Sequence, residues 1–151
     1  LGNAVAALGR DPGARAQLLA DSALIPQAIE ELLRYDSPTH LVVRFAREDV
    51  AVGARTIRAG QQVHVMTGAA NRDPARFPSP DVLDLGRPDN RHLSFGFGIH
   101  FCLGAPLARL ELQVALRRFL ERFGEYEVLG SEHVPNFQLR GLAQLHVRAG
   151  G

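Results

Sequence analysis

Apolar residues recur at helical spacing in four stretches and cluster in short strand-like runs between them. Leu1 to Leu8 is nearly all apolar and reads as helix, with no capping residue ahead of it. The expectation is that the chain starts partway through a helix. Asp11-Pro12 supplies an N-cap and a first-turn proline for a short helix through Ala14 to about Leu19. Ile25-Pro26 opens another to about Tyr35, with the stripe Ile25, Ile29, Leu32 and Leu33, and Pro38 closes it. The longest helix, about Leu103 to Phe123, is expected to bury Leu107, Leu110, Val114 and Phe119 and to end at Gly124. Leu41 to Phe45 and Val50 to Val52 predict strands. Thr56 to Arg58 and Gln62 to Val65 flank Ala59-Gly60 and predict a hairpin. Thr67 to Asn71 reads as a helical turn. Tyr126 to Leu129, Phe137 to Arg140 and Leu145 to Val147 read as late strands. Arg72 to Asn90 is rich in Pro, Asp and Arg and predicts a long irregular loop, a length that is usually functional.

The bulk properties narrow the function. The chain has 151 residues, 46% hydrophobic, with net charge +1. That predicts one globular domain and excludes disorder as the main reading. A balanced charge argues against an electrostatic nucleic-acid binder. No apolar run approaches the roughly 20 residues of a membrane span, and the first residues lack a basic signal-peptide region. A cytoplasmic protein is expected, with no nucleic-acid or membrane partner. The single cysteine excludes internal disulfides and any cysteine-built zinc or iron–sulfur site. All 17 basic residues are arginine, which carries no functional weight.

The chemistry concentrates in Phe95-Gly96-Phe97-Gly98-Ile99-His100-Phe101-Cys102-Leu103-Gly104. Gly96 and Gly98 permit positive φ and close approach of a flat group. Cys102 directly precedes a helix, where dipole and free amides favour a thiolate. Gly104 leaves no side chain in the way, and Phe95 and Phe97 supply apolar walls. The pattern suits axial ligation of a heme iron, with His100 placed to donate to a propionate. A lone cysteine is more often a buried small hydrophobe. A nucleophile with His100 as base, or a His-x-Cys zinc site, are further alternatives. The first needs i,i+2 side chains to face each other, and the second lacks two ligands.

The loop resembles the cysteine signature of the cytochrome P450 heme-thiolate monooxygenases, Phe-x-x-Gly-x-x-x-Cys-x-Gly. Phe95, Gly98, Cys102 and Gly104 occupy its fixed positions. Ala105 to Glu111 resembles the bacterial soluble branch. A second family motif, Glu-x-x-Arg on a helix, matches Glu31-Leu32-Leu33-Arg34, where i and i+3 share a face. The resemblance implies a buried pair joined by a second arginine from the irregular loop. Arg87 is the candidate, with Arg72 and Arg91 as rivals. It implies Arg44 and His100 as propionate donors, and His40, Leu41, Val42 and Leu139 beside the substrate. Arg109 falls near the face where family members dock an electron donor, and a solvated helix arginine is an equal reading.

The resemblance also implies an α+β, mainly α fold: the end of the central helix, the Glu-x-x-Arg helix, a small sheet, the cysteine loop and a long proximal helix. Residues 1–151 would be the C-terminal heme-binding portion, without the N-terminal part. The implied cofactor is heme b, with O2 and NAD(P)H-derived electrons arriving through a ferredoxin reductase and ferredoxin. The implied reaction inserts one oxygen atom into a small hydrophobic substrate. The alternative is a truncated, inactive relative that cannot activate oxygen alone.

Overall fold

The computed structural model describes residues 1–150. Five helices and three two-stranded sheets follow in the order α1 (Gly2–Arg10), α2 (Pro12–Ala20), α3 (Ile25–Tyr35), β1 (Val42–Phe45), β2 (Val50–Val52), β3 (Arg55–Ile57), β4 (Gln62–Val65), α4 (Thr67–Ala70), α5 (Ala105–Phe123), β5 (Tyr126–His133) and β6 (Leu142–Ala149). The long loop after α4 contains one short 3-10 turn, Gly98–His100.

The core lies where α1, α2, α3, α5 and β5 converge. Leu8, Leu18, Ile25, Ala28, Ile29, Leu32, Leu116, Leu120 and Tyr126 are buried there. Each large aliphatic side chain among them contributes roughly 1.5–3 kcal/mol. Asp11 caps α2 by accepting the Ala14 amide at 2.9 Å. The Tyr126 hydroxyl donates to the Val5 carbonyl at 2.8 Å, tying the first strand of the last sheet to α1. Arg15 lies over the Tyr126 ring, 4.7 Å from its centroid, and pairs with Glu125.

Three expectations need correction. The turn at Gly60 joins no paired strands. β3 pairs with β2 across the Gly53 turn, and β4 pairs with β1, placing Val42 opposite Val65 and Arg44 opposite Val63. Asp49 causes the foldback: it accepts from Arg58 Nη1 at 2.5 Å and from the Ala59 amide at 2.9 Å. Next, Phe137 to Arg140 is not a strand. Asn136 Oδ1 accepts the amides of Gln138 and Leu139 at 2.9 and 3.1 Å, a local turn that competes with a ladder. One bridge, Thr39 to Leu139, remains. Finally, α5 turns a different face inward. Ala105, Leu116 and Leu120 are buried, and Phe119 is half-buried. Leu107, Leu110 and Val114 are 60%, 58% and 54% exposed. The helix carries two apolar stripes, and periodicity does not say which one meets the core.

Candidate functional site

The site rests on a buried charge network. Arg34 donates to Glu31 twice, from Nε and Nη2, each at 2.8 Å, and both side chains are fully buried. Arg87 Nε reaches the same carboxylate at 3.1 and 3.2 Å. Asn90 Nδ2 and the Asp84 amide each donate to it at 3.0 Å. Two guanidinium charges face one carboxylate. The remaining N–H groups go to carbonyls: Arg34 to those of Asn71, Pro80 and Val82, and Arg87 to those of Pro78, Ser79 and Val82. All but the Asn71 carbonyl belong to the irregular loop, so the network dictates its path. Arg72 and Arg91 lie outside it. Arg72 binds the Tyr35 carbonyl and Asp81, and Arg91 binds Asp89.

Asn71 continues the scaffold and was not singled out from sequence. It is fully buried, accepts the Leu93 amide at 2.7 Å and donates to Ser94 Oγ at 3.0 Å. Ser94 Oγ in turn donates to the Leu33 carbonyl at 2.7 Å. The cysteine loop therefore leaves α3 and α4 on fixed anchors. Only the position of Asn71 in Asn71-Arg72-Asp73-Pro74, directly after a helical turn, hints at this role.

The loop itself is open. Gly96 and Gly98 hold φ of +76° and +71°, conformations that side-chain-bearing residues resist. The Cys102 amide donates to the Phe95 carbonyl at 2.9 Å, and Ala105 donates to the Cys102 carbonyl at 3.1 Å as α5 begins. The Cys102 thiol is exposed, so the buried-hydrophobe reading does not hold. Phe97 is 86% exposed, and Ile99, Phe101 and Leu103 are exposed around it. A Cβ at Gly104 would meet nothing within 4 Å except Cys102 Sγ, at 3.9 Å.

Cys102, Phe95, Phe97, His100, Arg44 and Val42 line one pocket of about 500 Å³, together with Leu33, Val65 and Thr67. Arg44 donates only to the Val43 carbonyl, at 2.8 Å, and pairs with no acid among the described residues. Gly98 lies between the lining residues Phe97 and His100, and Gly104 follows Cys102 by two; neither lines the pocket itself. Leu41 is 3% exposed and not among its lining residues, so it packs the interior rather than facing a ligand. His40 lies instead in a polar pocket with Tyr35, Arg72 and Arg140. Desolvation, and then the Arg140 charge, lower its pKa. Leu139 is exposed at its bridge to Thr39, which does line the first pocket.

The donor set fits a flat, apolar, anion-bearing iron porphyrin. A soft, exposed sulfur stands beside apolar aromatic walls, and an acid-free arginine and a histidine sit in the same pocket. No cluster of three or more His, Cys, Asp and Glu that could hold a bare metal ion occurs among the described residues. No helix there is long and apolar enough to cross a membrane.

Comparison with known proteins gives one result throughout. The family model for cytochrome P450 matches residues 5–147. The chain is 44% identical to a biotin biosynthesis cytochrome P450 of Bacillus subtilis over 97% of its own length and 38% of the relative's. It is 51% identical to the mycinamicin IV hydroxylase/epoxidase of Micromonospora griseorubida over 85% of its length and 32% of that protein. Among solved structures it resembles P450BioI in complex with an acyl carrier protein carrying hexadec-9Z-enoic acid, with TM-score 0.94 at 44% identity, covering 98% of this chain and 39% of that one. It also resembles CYP109E1 from Bacillus megaterium in complex with testosterone, with TM-score 0.96 at 34% identity over 99% and 42% of the two chains. The chain spans about two fifths or less of the length of these relatives.

Proposed function

Because the chain belongs to the cytochrome P450 family, we propose that residues 1–151 are the C-terminal heme-binding portion of a monooxygenase, in which Cys102 would hold the heme iron. The observation that carries this reading is the exposed Cys102 thiol sharing a pocket with aromatic walls, Arg44 and His100. Cys102 sits just ahead of α5, where its sulfur would hold the heme iron. Phe95 packs beside the ligand, and Gly98 and Gly104 keep side chains out of its way. Arg44 and His100 hold the propionates of heme b. Glu31, Arg34 and Arg87 fix the loop that presents Cys102 and touch no ligand themselves. Bound heme supplies reductive activation of O2, so that one oxygen atom enters the substrate and the other leaves as water, consuming two electrons and two protons.

The electrons come from NAD(P)H through a ferredoxin reductase and ferredoxin. The substrate is a small hydrophobic molecule, with Val42 and Leu139 on the chain's side of it. A cytoplasmic location is part of the same proposal. The test is a titration of the chain with heme, followed by reduction and carbon monoxide. Wild type gives the red-shifted band of a thiolate-ligated heme, and Cys102→Ala does not. A band that survives the substitution removes Cys102 as ligand, and absence of the band in wild type removes the reading for this chain.

A further inference from the structure

Three side chains with no role in the proposed function meet beside the Phe95 ring. Glu30 precedes Glu31 on α3 but does not join its network. Its carboxylate accepts Arg109 Nε at 2.7 Å and Arg109 Nη2 at 2.8 Å. It accepts a third bond from His92 Nε2 at 3.2 Å. His92 Nδ1 accepts the Ser94 amide at 3.1 Å, so Nε2 carries the hydrogen given to Glu30. The Arg109 guanidinium lies 4.7 Å from the Phe95 ring centroid, and the His92 ring centroid lies 6.0 Å from it. Phe95 is also the residue whose carbonyl receives the Cys102 amide, and its ring meets Phe101 edge-on at 6.4 Å.

A bidentate arginine–carboxylate pair fixes the guanidinium plane as well as its position. Here the guanidinium lies over an aromatic ring, a placement its charge favours. Burial opposes ionisation of Glu30, but the bonds from Arg109 and His92 outweigh it and hold the carboxyl at about 2. The Arg109 charge is thus already compensated within the chain. A carboxylate from an incoming protein would have to compete with Glu30 for the same nitrogens.

We propose that Glu30, Arg109 and His92 form a clamp on Phe95 that positions the Cys102 loop against α3 and α5, which makes Arg109 a positioning residue rather than a free docking cation. What the loop is positioned for rests on the heme-thiolate reading; the clamp itself does not.

The test uses the full chain, wild type, Glu30→Gln and Arg109→Lys, first without heme and then with it. Amide hydrogen exchange is read at Cys102, with the Ile29 and Leu116 amides as internal references. The expected result is about tenfold faster exchange at Cys102 in both variants, the change expected when one charge-assisted hydrogen bond guarding a local opening is lost. The reference amides stay within twofold. With heme added, both variants also lose part of the thiolate band. Unchanged Cys102 exchange in both variants overturns the clamp, as does equal acceleration at the reference amides, which would mark a merely structural pair. Clamp-dependent exchange in a chain that binds no heme would sink the function proposed above and leave the clamp standing.

Discussion

The Glu31 carboxylate accepts two hydrogen bonds from Arg34 at 2.8 Å, and neither side chain has any exposure to solvent. Such a pair survives burial because every remaining donor finds a carbonyl and because Arg87, Asn90 and the Asp84 amide complete the carboxylate. Removing one partner leaves charge stranded in a dry interior. Glu31→Ala is therefore expected to cost about 3–5 kcal/mol, measured by urea unfolding. Arg87→Ala falls in the same range, whereas Arg91→Ala, on an exposed pair with Asp89, changes stability by less than about 0.5 kcal/mol.

Glycines 98 and 104 separate two kinds of requirement. Gly98 sits at φ +71° with open space where a Cβ would go. Gly98→Ala is expected to destabilise by about 1 kcal/mol through backbone strain alone. Gly104 has φ −80°, which any residue adopts, so Gly104→Ala leaves unfolding within about 0.5 kcal/mol of wild type. Its Cβ would stand 3.9 Å from Cys102 Sγ, filling open space that the proposed heme needs, and so lowers heme affinity. Paired denaturation and heme titration of both variants distinguish the two effects.

Much of this arrangement is legible in the residues. Glu31, Arg34 and the stripe Ile25, Ile29, Leu32 define α3 because period and burial agree on one face. The cysteine loop is legible because Gly96 and Gly98 mark positive φ and Gly104 an open position. The path of Arg72 to Asn90 is not legible, since it is set by carbonyls aimed at Arg34 on α3 and at Arg87 within the loop itself. The pairing of β4 with β1 is not legible, because Gly60 resembles a hairpin turn until Asp49 is placed. The inward face of α5 is not legible either, because Leu107, Leu110 and Val114 recur as regularly as Leu112, Leu116 and Phe119. The bond from Arg109 to Glu30 joins positions 79 residues apart, and no local pattern encodes it.

The exposed stripe of α5 carries its own expectation. Leu107, Leu110 and Val114 form a row at helical spacing that faces solvent. Leu110→Glu should change stability by less than about 0.5 kcal/mol, as measured by urea unfolding. A loss of stability above that range would place Leu110 in the core.

Acid sensitivity follows from Glu30. Its carboxyl is held at about 2 against an ordinary 4.5. A depressed carboxyl adds stability that is fully present above about 4.5 and is lost as pH falls toward about 2. Glu30→Gln is expected to cost about 1–2 kcal/mol at neutral pH, allowing for partial exposure. The gap between the two proteins should close as pH falls through that window, as measured by urea unfolding at a series of pH values.

The most direct measurement is iron X-ray absorption on the heme-loaded chain. The sequence holds two sulfur atoms, in Cys102 and Met66. The account predicts one sulfur neighbour at the iron in wild type and in Met66→Leu, and none in Cys102→Ala. A sulfur shell that persists without Cys102, or is absent from heme-loaded wild type, contradicts it.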